Sequence, residues 1–210
     1  MRREASGSTG EKVLNAALGE FARHGYAGAR VDRIARLAGV NKAMIYYHFR
    51  GKEALYEQVL TNTYRMILAH VTTGLEKGDN PLERLKSFID RYVDLFNSID
   101  NDILRIILRE ISSGGKYFRK IIVPNLIVPV IAMLEPLFME ARERKLVRDL
   151  NPHYTFIQVV GSIIFFNLIK IPMEGTPLQK LLFSGDYPGR FKKNLFAIIA
   201  DGIELKEKKP

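Results

Sequence analysis

Four histidines, His24, His48, His70 and His153, are the side chains best suited to metal binding or proton transfer, and they are scattered along the chain. No two stand three or four apart, the spacing that turns a pair of helical ligands toward one ion. The 210 residues include no cysteine, which excludes a thiolate nucleophile, a disulfide framework and cysteine-ligated zinc. Neither a glycine-rich phosphate loop nor a serine nucleophile elbow occurs, so no enzymatic activity, cofactor or metal is expected. What these residues do offer is hydrogen-bond donation. Asn41, Lys42, Tyr46, Tyr47, His48 and Lys52 bring N–H and O–H donors into one short stretch, and such donors suit phosphate oxygens and the edges of bases. Lys42 can donate to guanine O6 and N7, while Ala43 and Met44 beside it can touch a thymine methyl.

The charge distribution points the same way. The formal net charge is +9, and Met1 to Lys52 holds ten Lys and Arg against four Asp and Glu, so the first quarter of the chain carries +6 of it. Clustered positive charge is the footprint of a polyanionic partner. Charge alone leaves nucleic acid and anionic lipid equally open.

The donors need rigid elements to hold them. Ser8-Thr9-Gly10-Glu11 has the form of a capping box. Leu14, Ala17, Leu18 and Phe21 then recur at helical spacing, predicting a first helix over about Thr9 to His24, closed by Gly25. Val31, Ile34, Ala35 and Ala38 make a second, shorter stripe ended by Gly39, and Asn41 can cap a third helix running through Phe49, itself expected to pack. Between them Gly39 tolerates positive φ and Val40 supplies an apolar plug, so the two helices cross sharply. This is helix-turn-helix spacing, with the donors on the later helix.

Beyond Gly51 the pattern changes to long amphipathic helices. They are predicted over roughly Lys52 to Glu76, ending at Gly78-Asp79-Asn80-Pro81, then Leu82 to Phe96, and Ile103 to Ile111, closed by Gly114-Gly115. An apolar helical stretch from Tyr117 to Lys145 should kink or break at Pro124, Pro129 and Pro136. Pro152 to about Lys170, after the Asn151 cap, and Pro188 to about Glu204 complete the set. No period-2 strand pattern survives, so the fold class is all-α. Met1 to Gly10 is polar and lacks the apolar core of a secretory signal, so export is not expected and a cytoplasmic location is. Phe156 to Ile171 is the most apolar stretch, but Gln158, Ser162, Asn167 and Lys170 interrupt it, and a buried helix is expected there in preference to a bilayer span.

Gly25-Tyr26, then Val31-Asp32-Arg33-Ile34-Ala35-Arg36-Leu37-Ala38-Gly39-Val40-Asn41-Lys42, then Ile45-Tyr46-Tyr47-His48-Phe49 and Lys52-Glu53-Ala54-Leu55, closely resemble the DNA-binding region of the TetR family. The match covers about Glu11 to Leu55. The resemblance implies a three-helix DNA-binding domain over residues 1–52, a larger helical domain over 53–210 for dimerisation and effector binding, and repression that a small ligand relieves. Its candidate contacts with double-stranded operator DNA are Arg30, Arg33, Asn41, Lys42, Ala43, Met44, Tyr46, Tyr47, His48 and Lys52. Two positions depart from the family. Arg30 stands where threonine is usual, which removes a side-chain cap from the second helix but supplies a group able to reach a phosphate. Met44 replaces a small hydroxyl residue, exchanging a polar contact for an apolar one.

By the same resemblance the last two helices pair with their copies about a twofold axis. Ile157, Gly161, Ile164, Phe165 and Leu168 form one stripe and Phe191, Leu195 and Ile198 another, although periodicity alone fits intrachain core equally well. Phe88, Tyr92, Phe96, Tyr117, Phe118, Met133, Phe138 and Phe166 can line an effector pocket or fill the core, with Arg109, Glu110, Asn125, Gln158 and Asn167 as the nearest polar groups. The expected effector is apolar or amphipathic. The alternative is an architectural or cell-division factor of the same fold that needs no effector, and a cavity with polar groups separates the two.

Overall fold

The computed structural model describes residues 8–73, 75 and 80–203. Residues before Ser8, the expected helix ends at Glu76 and Glu204, and the Gly78-Asp79 breaker lie outside them. The described residues form ten α-helices and one π-helix with no strand, an all-α fold. They fall into two compact units, one drawn from Met1–Met66 and Asp100–Asn125, the other from Ile67–Ile99 and Leu126–Pro210.

The first unit opens with α1 (Thr9–Gly28), started by the expected capping box: the Glu11 N–H donates to Ser8 Oγ at 3.3 Å and the Ser8 N–H to Glu11 Oε2 at 2.8 Å. Gly25, expected to end the helix, is instead a kink at φ 66°, beyond which the helix runs on to Gly28. Carbonyls ahead of such a kink lose their helical partners. Arg109 supplies them, donating from Nε to the Ala22 carbonyl at 2.8 Å and from Nη2 to that of Arg23 at 2.7 Å.

α2 (Val31–Ala38) and α3 (Lys42–Phe49) pack on α1 and on each other. The turn between them is as expected: Gly39 has φ 67°, and the Val40 N–H reaches back to the Ala35 carbonyl at 3.0 Å. Arg30 gives α2 no side-chain cap, also as expected. A neighbouring element takes over, because Glu20 of α1, only 2% exposed, accepts the Arg30 N–H at 3.1 Å and Arg33 Nη1 at 3.1 Å.

The first unit also holds the start of α4 (Lys52–Thr72) and all of α6 (Asn101–Ser112). At the end of α6, buried Glu110 accepts from the Tyr56 hydroxyl at 2.8 Å and from the N–H groups of Tyr117 and Phe118 at 3.2 and 3.1 Å. Those amides open the π-helix, Phe118–Ile127. Pro124 lies inside it, and Asn125 Nδ2 donates to the Ile121 carbonyl at 2.8 Å. The expected proline break is therefore a change of helix type at residue 128 and not a gap.

The second unit comprises α5 (Pro81–Ser98), α7 (Val128–Glu143), α8 (Pro152–Met173), α9 (Pro177–Leu182) and α10 (Tyr187–Gly202), with α5 packed on α7, α8 and α10. The six-residue α9 has no counterpart in the sequence reading; one turn and a half is too short to show a periodic face. Lys192 of α10 fixes its helix to α5 through Asp90 at 2.6 Å and Asp94 at 3.0 Å.

The buried helix expected over Phe156 to Ile171 needs correction. Within the chain only Ile163 and Asn167 of α8 are buried, while Tyr154, Ile157 and Phe165 are more than 60% exposed. By length and composition Phe118–Glu143 and Pro152–Met173 are each apolar enough to cross a membrane, a test that helices of soluble proteins also pass.

Candidate nucleic-acid interface and effector cavity

α3 is held by a single apolar anchor. Ile45 is fully buried, whereas Lys42, Ala43, Met44, Tyr46, Tyr47 and His48 are all exposed, Tyr47 to 80%. Phe49 is half-buried, as expected of a packing residue. One short helix thus turns a continuous row of donors and two methyl-bearing side chains toward solvent, an arrangement with the dimensions and chemistry to enter a major groove.

Several of the expected DNA contacts already have partners. Asn41 Oδ1 caps α3 by accepting the Ala43 N–H at 2.9 Å. Arg33 is bound to Glu20, and Lys42 Nζ lies 2.8 Å from Asp32 Oδ1. That hydrogen bond lowers the Asp32 carboxyl below its ordinary pKa and raises the Lys42 ammonium above its own. Lys52 Nζ donates to the Ala27 carbonyl at 3.2 Å and sits 4.8 Å from the centre of the Tyr26 ring. The Arg30 side chain is exposed beside them. The residue types and the Asn41 cap were readable in the sequence; the partners of Arg33, Lys42 and Lys52, drawn from α1 and α2, were not.

Around Tyr26 an aromatic cluster supports the start of α4, with Tyr26, Tyr56 and Tyr117 within 5.2 Å of one another by ring centre. Burial, and then the bond to Glu110, pushes the Tyr56 phenol above its usual pKa. Glu53 is held below the usual carboxylate range by the Tyr117 hydroxyl at 2.9 Å and Lys116 Nζ at 3.3 Å.

In the second unit a cavity opens among α5, α7, α8 and α10, with ≈ 710 Å³ of space free of protein atoms, part of it open to solvent. Leu85 and Phe88 wall it from α5, Leu134 and Phe138 from α7, Phe156 and Val160 from α8. Its polar lining is Lys86, Glu135, His153 and Thr155, with His153 Nε2 3.5 Å from Glu135 Oε1. Of the residues expected to line a pocket only Phe88 and Phe138 do so. Tyr92 and Phe96 continue from Phe88 as a buried stack along α5, with ring centres 5.8 and 4.6 Å apart. Phe166 stacks on Phe191 at 3.9 Å, Gln158 is exposed, and Met133 is half-buried. Arg109 and Phe118 belong to the first unit, where Arg109 serves α1. Ile131 and Leu134, which complete the α7 wall beside Phe138, were not expected because the prolines of α7 obscured a stripe that has ordinary helical spacing.

The expected pairing stripes divide. Ile157, Gly161 and Phe165 on α8 and Ile198 on α10 are exposed, and a Cβ built on Gly161 would meet nothing within 4 Å. Ile164 and Leu168 are half-buried, while Phe191 and Leu195 turn inward, Phe191 onto Phe166 and Leu195 to 7% exposure. The outward set is an unfilled apolar face with room for a close backbone approach.

Residues 13–59, which span the helix-turn-helix and the first turns of α4, match the family model described as bacterial regulatory proteins, tetR family. Over this segment the chain is similar to the DNA-binding region of the TetR family. The chain is 34% identical over 103 residues to the HTH-type transcriptional repressor SCO4008 of Streptomyces coelicolor, a match covering 49% of this chain and 50% of that protein. The chain thus spans about half the length of that relative. It is 27% identical over 175 residues to the HTH-type transcriptional repressor NicS of Pseudomonas putida, covering 80% and 79% of the two chains. The solved structure of the ketosteroid transcriptional regulator KstR2 of Mycobacterium tuberculosis has the same fold, with a TM-score of 0.72 at 18% identity over 97% of this chain and 98% of that one.

Proposed function

We propose that this chain is a sequence-specific DNA-binding transcriptional regulator of the TetR family: a homodimeric cytoplasmic repressor, released from its operator by an apolar or amphipathic small molecule. Residues 1–52 form its DNA-binding domain and residues 53–210 its effector-binding and dimerisation domain. The observation that carries the reading is α3, whose side chains are nearly all exposed donors around one anchor, Ile45. Lys42, Ala43 and Met44 read base edges at its N-terminal end; Tyr46, Tyr47, His48, Lys52 and Arg30 hold phosphates. The exposed face of Ile157, Gly161, Phe165 and Ile198 joins two copies, and the cavity lined by Phe88, Phe138 and Phe156 takes the effector. The presence of that cavity favours an effector-responsive regulator over a factor of the same fold that needs none.

Selection of bound duplexes from a random pool, repeated with metabolite extracts added, tests the reading. The expected product is a pseudo-palindrome whose half-sites lie one helical turn or a multiple apart, with enrichment weakened by one of the extracts. Recovery of no preferred sequence would refute it.

A further inference from the structure

We propose that Asp32 is a specificity residue: its carboxylate orients Lys42 for base contact and offsets the attraction of that lysine to DNA of any sequence. The inference rests on the DNA-binding reading above. Between Phe21 and Lys52 the chain has seven Lys and Arg, and Asp32 is the sole acid. It stands in the first turn of α2, where helix amides favour a negative charge, and Lys42 stands at the first position of α3, 2.8 Å away. The two side chains are 72% and 47% exposed. A pair so open to water contributes little to folding, so beyond the modest preference of the helix end for a negative charge stability does not account for the pairing with Lys42.

Its effect on DNA differs between the two kinds of contact. To bind a phosphate, Lys42 exchanges one anionic partner for another and leaves the Asp32 carboxylate facing a polyanion. To bind guanine, the ammonium keeps Asp32 on one of its three N–H groups and offers the others to O6 and N7, which are neutral acceptors. The pair therefore disfavours sequence-independent contact and tolerates base readout. The other exposed cations nearby are placed differently: Arg30 feels the Asp32 charge without an ion pair to it, Lys52 donates to a backbone carbonyl, and the partner of Arg33, Glu20, is buried.

Binding of wild type and Asp32→Asn is measured by titration at several salt concentrations on two probes, a duplex selected by the wild-type protein from a random pool and a shuffled duplex of equal length. The expected result is tighter binding of Asp32→Asn to the shuffled duplex by about two- to fivefold, the range of an exposed ion pair. The slope of log affinity against log salt steepens by up to about 0.9 per subunit. The selected duplex gains less, so discrimination falls. In a Lys42→Ala background Asp32→Asn still steepens the slope but no longer changes discrimination, which a purely long-range charge effect does not predict. Asp32→Ser repeats the result, and thermal unfolding midpoints fall only slightly, by the loss of a first-turn charge on α2. Equal gains on both duplexes, or no change on either, overturn the proposal while leaving the DNA-binding reading intact. A wild-type protein that selects no sequence defeats that reading and this inference together.

Discussion

Glu20 and Glu110 look like surface acids in a charge count, yet both are buried and each ties its own helix to others. Glu20 joins α1 to the start of α2. Its replacement by Gln keeps an acceptor for the Arg30 amide but removes the charge facing Arg33, and we expect a loss of about 1–3 kcal/mol in urea unfolding, the range of hydrogen bonds to charged groups. The pH dependence of Glu53 has a definite sign. Its carboxyl pKa is lowered in the folded chain, first by the Tyr117 hydroxyl and then by Lys116. It therefore contributes stability above its unfolded pKa, and that contribution disappears as pH falls through the lower folded value. Wild type and Glu53→Gln should differ in unfolding midpoint at neutral pH and converge in acid; a gap that persists at the acid end contradicts the assignment. Residue types were legible where the chemistry is local, as with the Ser8 capping box and the Asn41 cap. They were not legible where a partner comes from a distant part of the chain, as for Arg33, Lys52 and Glu110.

At the scale of elements, the sequence signals that worked were those of helix ends. Gly39 and Asn151 act at the positions assigned to them, whereas Gly25 bends α1 instead of closing it because Arg109 satisfies the carbonyls left behind. This makes a test of α6. Arg109→Ala should destabilise the unit by about 1–3 kcal/mol and speed amide exchange over Tyr26 to Ala29, the turn after the kink, more than at the start of α1. Uniform exchange along α1 would show that the kink is held by its own backbone. The apolar stripe of α8 was correctly recognised as helical, but its composition cannot say whose surface covers it, which is why a helix read as buried is largely open in the chain. Proline content likewise indicated a disturbance between Tyr117 and Lys145 without specifying that a wider helix would absorb it.

For the whole molecule, the apolar face of α8 and α10 is the feature with the widest reach. Phe165→Glu together with Ile198→Lys should yield a monomer in equilibrium sedimentation and weaken operator binding, since one recognition helix cannot span two half-sites; a dimer that persists would place the interface elsewhere. Effector and operator should be linked by about 1–3 kcal/mol, and linkage is reciprocal, so saturating operator must weaken effector binding by the same factor. An effector affinity indifferent to operator would leave the cavity without a regulatory role. The exposed Ile157, Phe165 and Ile198 also bear on how much protein a cell must make. When such a face is covered only by a second copy, each chain borrows stability from its neighbours by mass action. The melting temperature should then climb with protein concentration, and a dilute chain should be the one that proteases and chaperones find first.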